Sequence, residues 1–399
     1  MAGHDVYYKK CIRPDDGFEY YAYMLLYVDD VLCIHHDAMS EIERLNKYFP
    51  MKSGYGDIDM YLGSKVRKCI MPNGVEAWGL SPAKYIRASV DNVKRYLAKQ
   101  GLALPKKAPT PFASGYIPET DASPLANSEE ASYMQAQIGV LRWIVELGQI
   151  DIITEVSCIS SMVAMPRKGH LEAIYHIYAY LDKRANSRLI LDPSYPNVDM
   201  NDFYGGNWEE FYGPVSEPMP PNAPTPLGKP VTIRLYTDSD LGGCPNTRRS
   251  RSGYILMINT ALVSAFSKKQ ATIETSVYGA EFLALKTGME ASRGLRYKLR
   301  MMGIPVEEPT YTYVDNMSVV HNSSRPESTL KKKSNSIVYN YCRESCAMGE
   351  HIVGHISTLL NPADICTKIM PGGQKRDGTV SLLLWDIKDD HEVGSPEKD

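Results

Sequence analysis

From Val231 onward the apolar residues follow one order of periods: strand, strand, strand, helix, strand, helix, strand. The strands are expected at 233–237, 253–258, 261–266, 311–314 and 350–355, and the helices at 275–302 and 335–348. Three antiparallel strands followed by helix and strand alternation leave few solutions. A mixed five-stranded sheet flanked by helices buries every apolar face.

Four acids interrupt otherwise apolar stretches of this region. They are Asp238 in Leu-Tyr-Thr-Asp-Ser-Asp, Glu281 in Tyr-Gly-Ala-Glu-Phe-Leu, Asp315 in Tyr-Val-Asp-Asn, and Asp364 in Asn-Pro-Ala-Asp-Ile. Gathered carboxylates raise one another's pKa and resist joint ionisation. A pair of divalent cations removes that cost, and Mg²⁺ accepts a few carboxylate oxygens plus water. The set is therefore expected to be catalytic and to hold two Mg²⁺ ions, with Mn²⁺ as a substitute. Alternation alone does not separate Asp238 from Asp240, and Glu274 is a nearby competitor of Glu281.

The formal net charge is −3. Its distribution is uneven. Residues 231–376 hold 19 lysines and arginines against 12 aspartates and glutamates, a net +7, and the remainder carries −10. A basic region around an acidic cluster suits a polyanionic substrate. The eight cysteines show no framework spacing and read as reduced thiols. No stretch is long and clean enough to span a bilayer.

Upstream, residues 18–37 read as a hairpin whose turn is Val28-Asp29-Asp30. Helices are expected at 39–49, 82–100, 128–150 and 169–184, with a weaker helical segment at 151–165. Residues 193–230 are rich in Pro, Gly and Asn and read as an interdomain linker, part of which docks through aromatics such as Phe203 and Trp208.

The string Tyr236-Thr-Asp-Ser-Asp240, Arg249-Ser-Arg-Ser-Gly-Tyr254, Ser267-Lys-Lys-Gln270, Gly279-Ala-Glu-Phe-Leu-Ala-Leu285, Asp315-Asn-Met-Ser318 and Ala363-Asp-Ile-Cys-Thr-Lys368 resembles the ribonuclease H domain of copia-type retrotransposon Pol polyproteins. Leu26-Tyr-Val-Asp-Asp-Val31, Tyr61-Leu-Gly63, Leu80-Ser-Pro-Ala-Lys-Tyr-Ile86 and Ile138-Gly-Val-Leu-Arg-Trp143 resemble the end of that family's reverse transcriptase. The resemblance implies an α/β chain of five parts: a truncated polymerase palm and following segment (1–125), a helical thumb or connection (126–192), the linker (193–230), a ribonuclease H-like domain (231–376) and a tail (377–399). It implies hydrolysis of the RNA strand of RNA–DNA hybrids, with Asp238, Glu281, Asp315 and Asp364 as metal ligands. RNA, DNA and other Pol-derived chains are the further partners it implies. Its cellular setting would be a cytoplasmic virus-like particle with later nuclear access.

Asp29 and Asp30 are the expected ligands of the polymerase hairpin. The family's fingers and third palm carboxylate precede that hairpin, so the chain is expected to be a polyprotein part or a genomic remnant that does not polymerise DNA alone. A non-catalytic nucleic-acid-binding module and an inert remnant are the alternatives. Asn316 could contact the RNA strand or simply form a turn. Lys331, Lys332 and Lys333 could contact phosphates or be solvated. His355 could assist product release. Cys342, Cys346, His351 and His355 fit a zinc spacing, but buried thiols and ordinary histidines are the expectation there.

Overall fold

A computed structural model describes residues 5–28, 30–51, 54–330 and 333–385. The chain divides into two compact units whose segments interleave. One takes residues 1–62, 70–76 and 192–368; the other takes 63–69, 77–191 and the segment from Ile369.

The first unit contains the mixed five-stranded sheet expected from the sequence. Its spatial order is Ala261–Lys269, Arg251–Ile258, Ile233–Asp240, Thr310–Val314, His351–His355. The first three strands are antiparallel and the last two run parallel to Ile233–Asp240. The long helix Val277–Met301 starts at Ser276, whose side chain accepts a hydrogen bond from the Gly279 amide at 3.2 Å. Phe282, Leu285 and Met289 on this helix are buried with Leu235, Leu256 and Val314 of the sheet. Gly288 permits the close approach: a Cβ there would stand 2.8 Å from Thr237 Cγ2. Met317–Ser324 and Ser336–Ala347 are further helices of this unit, as is the expected Ala38–Asn46.

The expected hairpin is present as Glu19–Tyr27 and Asp30–Ile34, and Val6–Ile12 adds a third antiparallel strand that the sequence reading left out. Val28, at the turn, holds φ +52°, a costly conformation for a β-branched residue. This sheet packs within the same unit, where the Tyr23 hydroxyl donates to the Met302 carbonyl at 2.8 Å.

Residues 203–217 lie on the five-stranded sheet and its helices. Phe203 bridges to Gly354 and packs its ring against Tyr311 and Tyr313, with centroids 5.3 and 5.1 Å away. Gly354 makes this possible, since a Cβ would stand 2.7 Å from the Phe203 ring. Glu217 is paired with Arg296 at 2.7 Å and with Arg300. These contacts overcome the burial cost and hold the Glu217 carboxyl down at about 2. Phe211, in the same stretch, is exposed.

The second unit is mainly helical. Ala83–Ala98 buries Ile86, Val90, Val93 and Leu97 at alternating spacings of four and three, and Gly101 at φ +70° follows its end. Ser128–Glu146 opens with a capping box between Asn127 and Glu130. Ile153–Ser160 and Lys168–Arg184 complete the central core around Ile152, Ile174 and Tyr178. The strands Glu76–Ser81 and Leu189–Leu191 pair antiparallel. Gln374–Leu383 forms a final helix that buries Arg376, Val380 and Leu383.

Candidate metal centre

Asp238 is delivered by the strand Ile233–Asp240 and Glu281 by the second turn of the long helix. Asp315 follows directly on the strand Thr310–Val314. One carboxylate oxygen from each lies within 4.8 Å of those of the other two. Asp238 and Glu281 are buried and Asp315 half-buried. Among the described residues, this is the group whose ligand atoms gather closely enough to share an ion. The cysteines Cys342 and Cys346 are buried thiols, and neither joins such a group with His351.

Asp240 takes a different part. Its side chain accepts the Arg251 backbone N–H, so it ties the first strand to the second rather than joining the cluster. Glu274 accepts from the Asn335 side chain at 3.2 Å. Asp364 sits fully buried in the short helix Pro362–Cys366 and is bridged to Asp238 by Lys368. The Lys368 ammonium stands 3.2 Å from Asp238 Oδ1 and contacts Asp364 Oδ1. The Thr367 hydroxyl donates to Asp238 Oδ2.

Burial is the largest influence on this cluster. It pushes the Glu281 carboxyl up to about 9, with the Asp238 and Asp315 charges adding to the rise. It pushes Asp238 up to about 7, against the opposing pull of Lys368. Glu281 Oε2 is buried with no hydrogen-bond partner. A buried carboxylate oxygen left in this way is costly, and a hard divalent cation is the group that satisfies it. The residues present therefore fit Mg²⁺ or Mn²⁺ at Asp238, Glu281 and Asp315.

Three supporting residues escaped the sequence reading as functional. Asn361 caps the Asp364 segment by accepting from the Ala363 amide at 3.1 Å, and it donates to the Thr237 carbonyl at 3.0 Å. The Asn-Pro step before Ala-Asp was the signal for that cap. Gln270 donates to Ser252 Oγ at 2.9 Å and to the Ala280 carbonyl at 3.0 Å, fixing the helix turn that carries Glu281. Lys368 lies four residues after Asp364, the spacing at which opposite charges meet on one helical face.

Gly253 faces Asp238 across the first strand pair and is overlain by the Asp364 segment. A Cβ there would stand 2.6 Å from Cys366 Cβ and 2.7 Å from Thr367 Cγ2. Gly253→Ala is expected to push that segment off the sheet and cost about 1–3 kcal/mol. Thermal denaturation of the two proteins checks this; an unchanged Tm would show that the overlay yields freely.

The other candidates are scattered. Asn316 Oδ1 accepts from the Ser318 and Val319 amides at 3.0 and 3.3 Å, so that oxygen caps the helix Met317–Ser324. His355 ends the edge strand, half-buried and in register with Val314. Lys333 is exposed, whereas Lys331 and Lys332 lie outside the described residues, as does Asp29. Asp30 is exposed and belongs to no carboxylate group able to share an ion among the described residues.

Strand order, flanking helices and the carboxylate trio together define a ribonuclease H-like unit within a mixed α/β chain. No family model matches the chain. It is 24% identical over 349 residues to the retrovirus-related Pol polyprotein from transposon RE1 of Arabidopsis thaliana, covering 87% of this chain and 20% of that protein. It is 27% identical over 357 residues to the Pol polyprotein from transposon TNT 1-94 of Nicotiana tabacum, covering 87% and 23%. The chain is related to the Pol polyproteins of copia-type retrotransposons, and it spans about a fifth of the length of these relatives.

Among solved structures, the N-terminal RNase H domain of rv2228c from Mycobacterium tuberculosis aligns with 38% of this chain and 97% of its own, at 13% identity and a TM-score of 0.28. A foamy viral protease-reverse transcriptase in complex with RNA/DNA hybrid aligns with 60% of this chain and 50% of its own, at 11% identity and a TM-score of 0.23. At such scores the fold rests on strand order and direction, not on superposition. No helix among the described residues is long and apolar enough to cross a membrane.

Proposed function

We propose that this chain is a ribonuclease H that hydrolyses the RNA strand of RNA–DNA hybrids with divalent cations held by Asp238, Glu281, Asp315 and Asp364. The observation that carries the reading is the convergence of Asp238, Glu281 and Asp315 oxygens within 4.8 Å around a buried Glu281 oxygen that no protein group satisfies. When bound, Mg²⁺ would activate water and neutralise charge developing on the scissile phosphate. The protein's own part is to hold these carboxylates together, through Gln270 on the Glu281 turn and Asn361 on the Asp364 segment.

A hybrid suits the net +7 of residues 231–376. Its backbone shape and 2′-hydroxyls can be recognised without base readout. The relatedness to Pol polyproteins supports the same substrate.

The test is cleavage of an end-labelled RNA–DNA hybrid with Mg²⁺ or Mn²⁺, beside Asp315→Asn. The parent is expected to cut, and the variant to be slower by about a hundredfold or more. A folded parent that binds hybrid without cutting it would replace this reading with that of a binding module.

A further inference from the structure

Lys368 is a cation already seated among the carboxylates that the proposed function assigns to metal. Its ammonium lies 3.2 Å from Asp238 Oδ1 and in contact with Asp364 Oδ1, and its side chain is about one-third exposed. Asp238 is thereby engaged on both oxygens, Oδ1 by Lys368 and Oδ2 by Thr367. Glu281 Oε2, on the other flank, is buried without a hydrogen bond. The centre is therefore asymmetric. The cation supplied by the chain is paired with Asp238 and Asp364 and not with Glu281 or Asp315.

We infer that Lys368 is a positioning residue that occupies the second-ion position between Asp238 and Asp364, so that one divalent ion binds readily at Asp238, Glu281 and Asp315 and a second enters only by displacing the ammonium. The inference rests on the metal-centre reading above. Two positive charges cannot share the Asp238–Asp364 gap without strong repulsion, because buried charges are weakly screened. The lysine stem makes displacement feasible: it is flexible, and its partly exposed side chain gives the ammonium a path to water. The expected behaviour is sequential loading, with a first ion that does not depend on Asp364 and a second that competes with Lys368.

Titration of the full chain with Mn²⁺ alone, followed by calorimetry and by the spin signal of free Mn²⁺, counts the ions. The parent is expected to bind one ion tightly and a second at least about tenfold more weakly. Lys368→Met should tighten the second ion by about tenfold or more, and Lys368→Arg, which keeps the charge, should not. Asp364→Asn should leave the first ion within about twofold of its parent affinity. This variant keeps the test alive if Lys368→Met does not fold. Equal affinities for both ions in the parent, an unchanged second ion in folded Lys368→Met, or loss of the first ion in Asp364→Asn would each overturn the role of Lys368. A parent that binds no Mn²⁺ would overturn the metal centre itself.

Discussion

Glu281→Gln is expected to silence hybrid cleavage and, in the same protein, to raise the melting temperature of the metal-free form. Both effects come from one carboxylate. Glu281 is buried beside Asp238 and Asp315, and without an ion its charge has no satisfied partner on Oε2. Its folded pKa is raised from 4.5 to about 9, and that of Asp238 from 3.8 to about 7. A native state that holds protons more tightly than the unfolded chain loses stability as pH rises. Stability from these groups is thus fully present below about pH 4 and is lost as pH rises through about 7 and then about 9. Glutamine carries no charge to lose, so the variant should gain on its parent progressively over that range. For a unit of this size each kcal/mol of relieved repulsion raises Tm by about 2–4 °C. Divalent cations should reverse the ranking, since they need deprotonated ligands and bind the parent more tightly. Melting both proteins in chelator and then in Mg²⁺, from about pH 5 to about pH 9, checks the sign. If Glu281→Gln melted lower than the parent in chelator at the alkaline end, the repulsive cluster would be the wrong description.

The nuclease-like unit was legible because its signals are local. Strand and helix periods from Ile233 to His355 gave every element of the five-stranded sheet, and the acids stand where those elements end or meet. The reading fell short wherever a contact joins residues far apart in the chain. Asp238 and Asp240 share a strand face by alternation, and only the Arg251 amide, brought over by the second strand, sends Asp240 elsewhere. Lys368 was read as part of a motif, not as the cation between Asp238 and Asp364. The stretch around Phe203 was expected to dock through its aromatics, and it does, but the place that Gly354 opens on the sheet edge for the Phe203 ring was not legible. Val6–Ile12 went unseen for a different reason: Lys9 and Lys10 interrupt its apolar alternation, and the strand exists through pairing with Glu19–Tyr27. Residues around Arg376 carried no local sign that they belong to the helical unit.

That last residue gives the largest stability effect expected in the chain. Arg376→Ala should cost the helical unit about 3–5 kcal/mol. Arg376 is buried, donates to the Asp151 carbonyl at 2.7 Å, lies 3.8 Å from Glu155 Oε1 and places its guanidinium over the Tyr180 ring. Asp151 and Glu155 are themselves buried, and the Asp151 carboxylate accepts from Gln149 and from the Tyr180 hydroxyl. Removing the guanidinium takes a buried positive charge away from two buried acids, which costs far more than the pair contributes when intact. The expected drop in Tm is about 10 °C. Arg376→Met combined with Glu155→Met should recover much of it, because the uncompensated charge leaves together with the cation. Deleting the chain from Gln374 onward should be at least as damaging as Arg376→Ala, since it also uncovers the core contacts of Val380 and Leu383. Calorimetric melting of the four proteins separates the possibilities. A loss below about 1 kcal/mol for Arg376→Ala would mean that water reaches Glu155 and that the C-terminal helix is an accessory to the unit, not its closure.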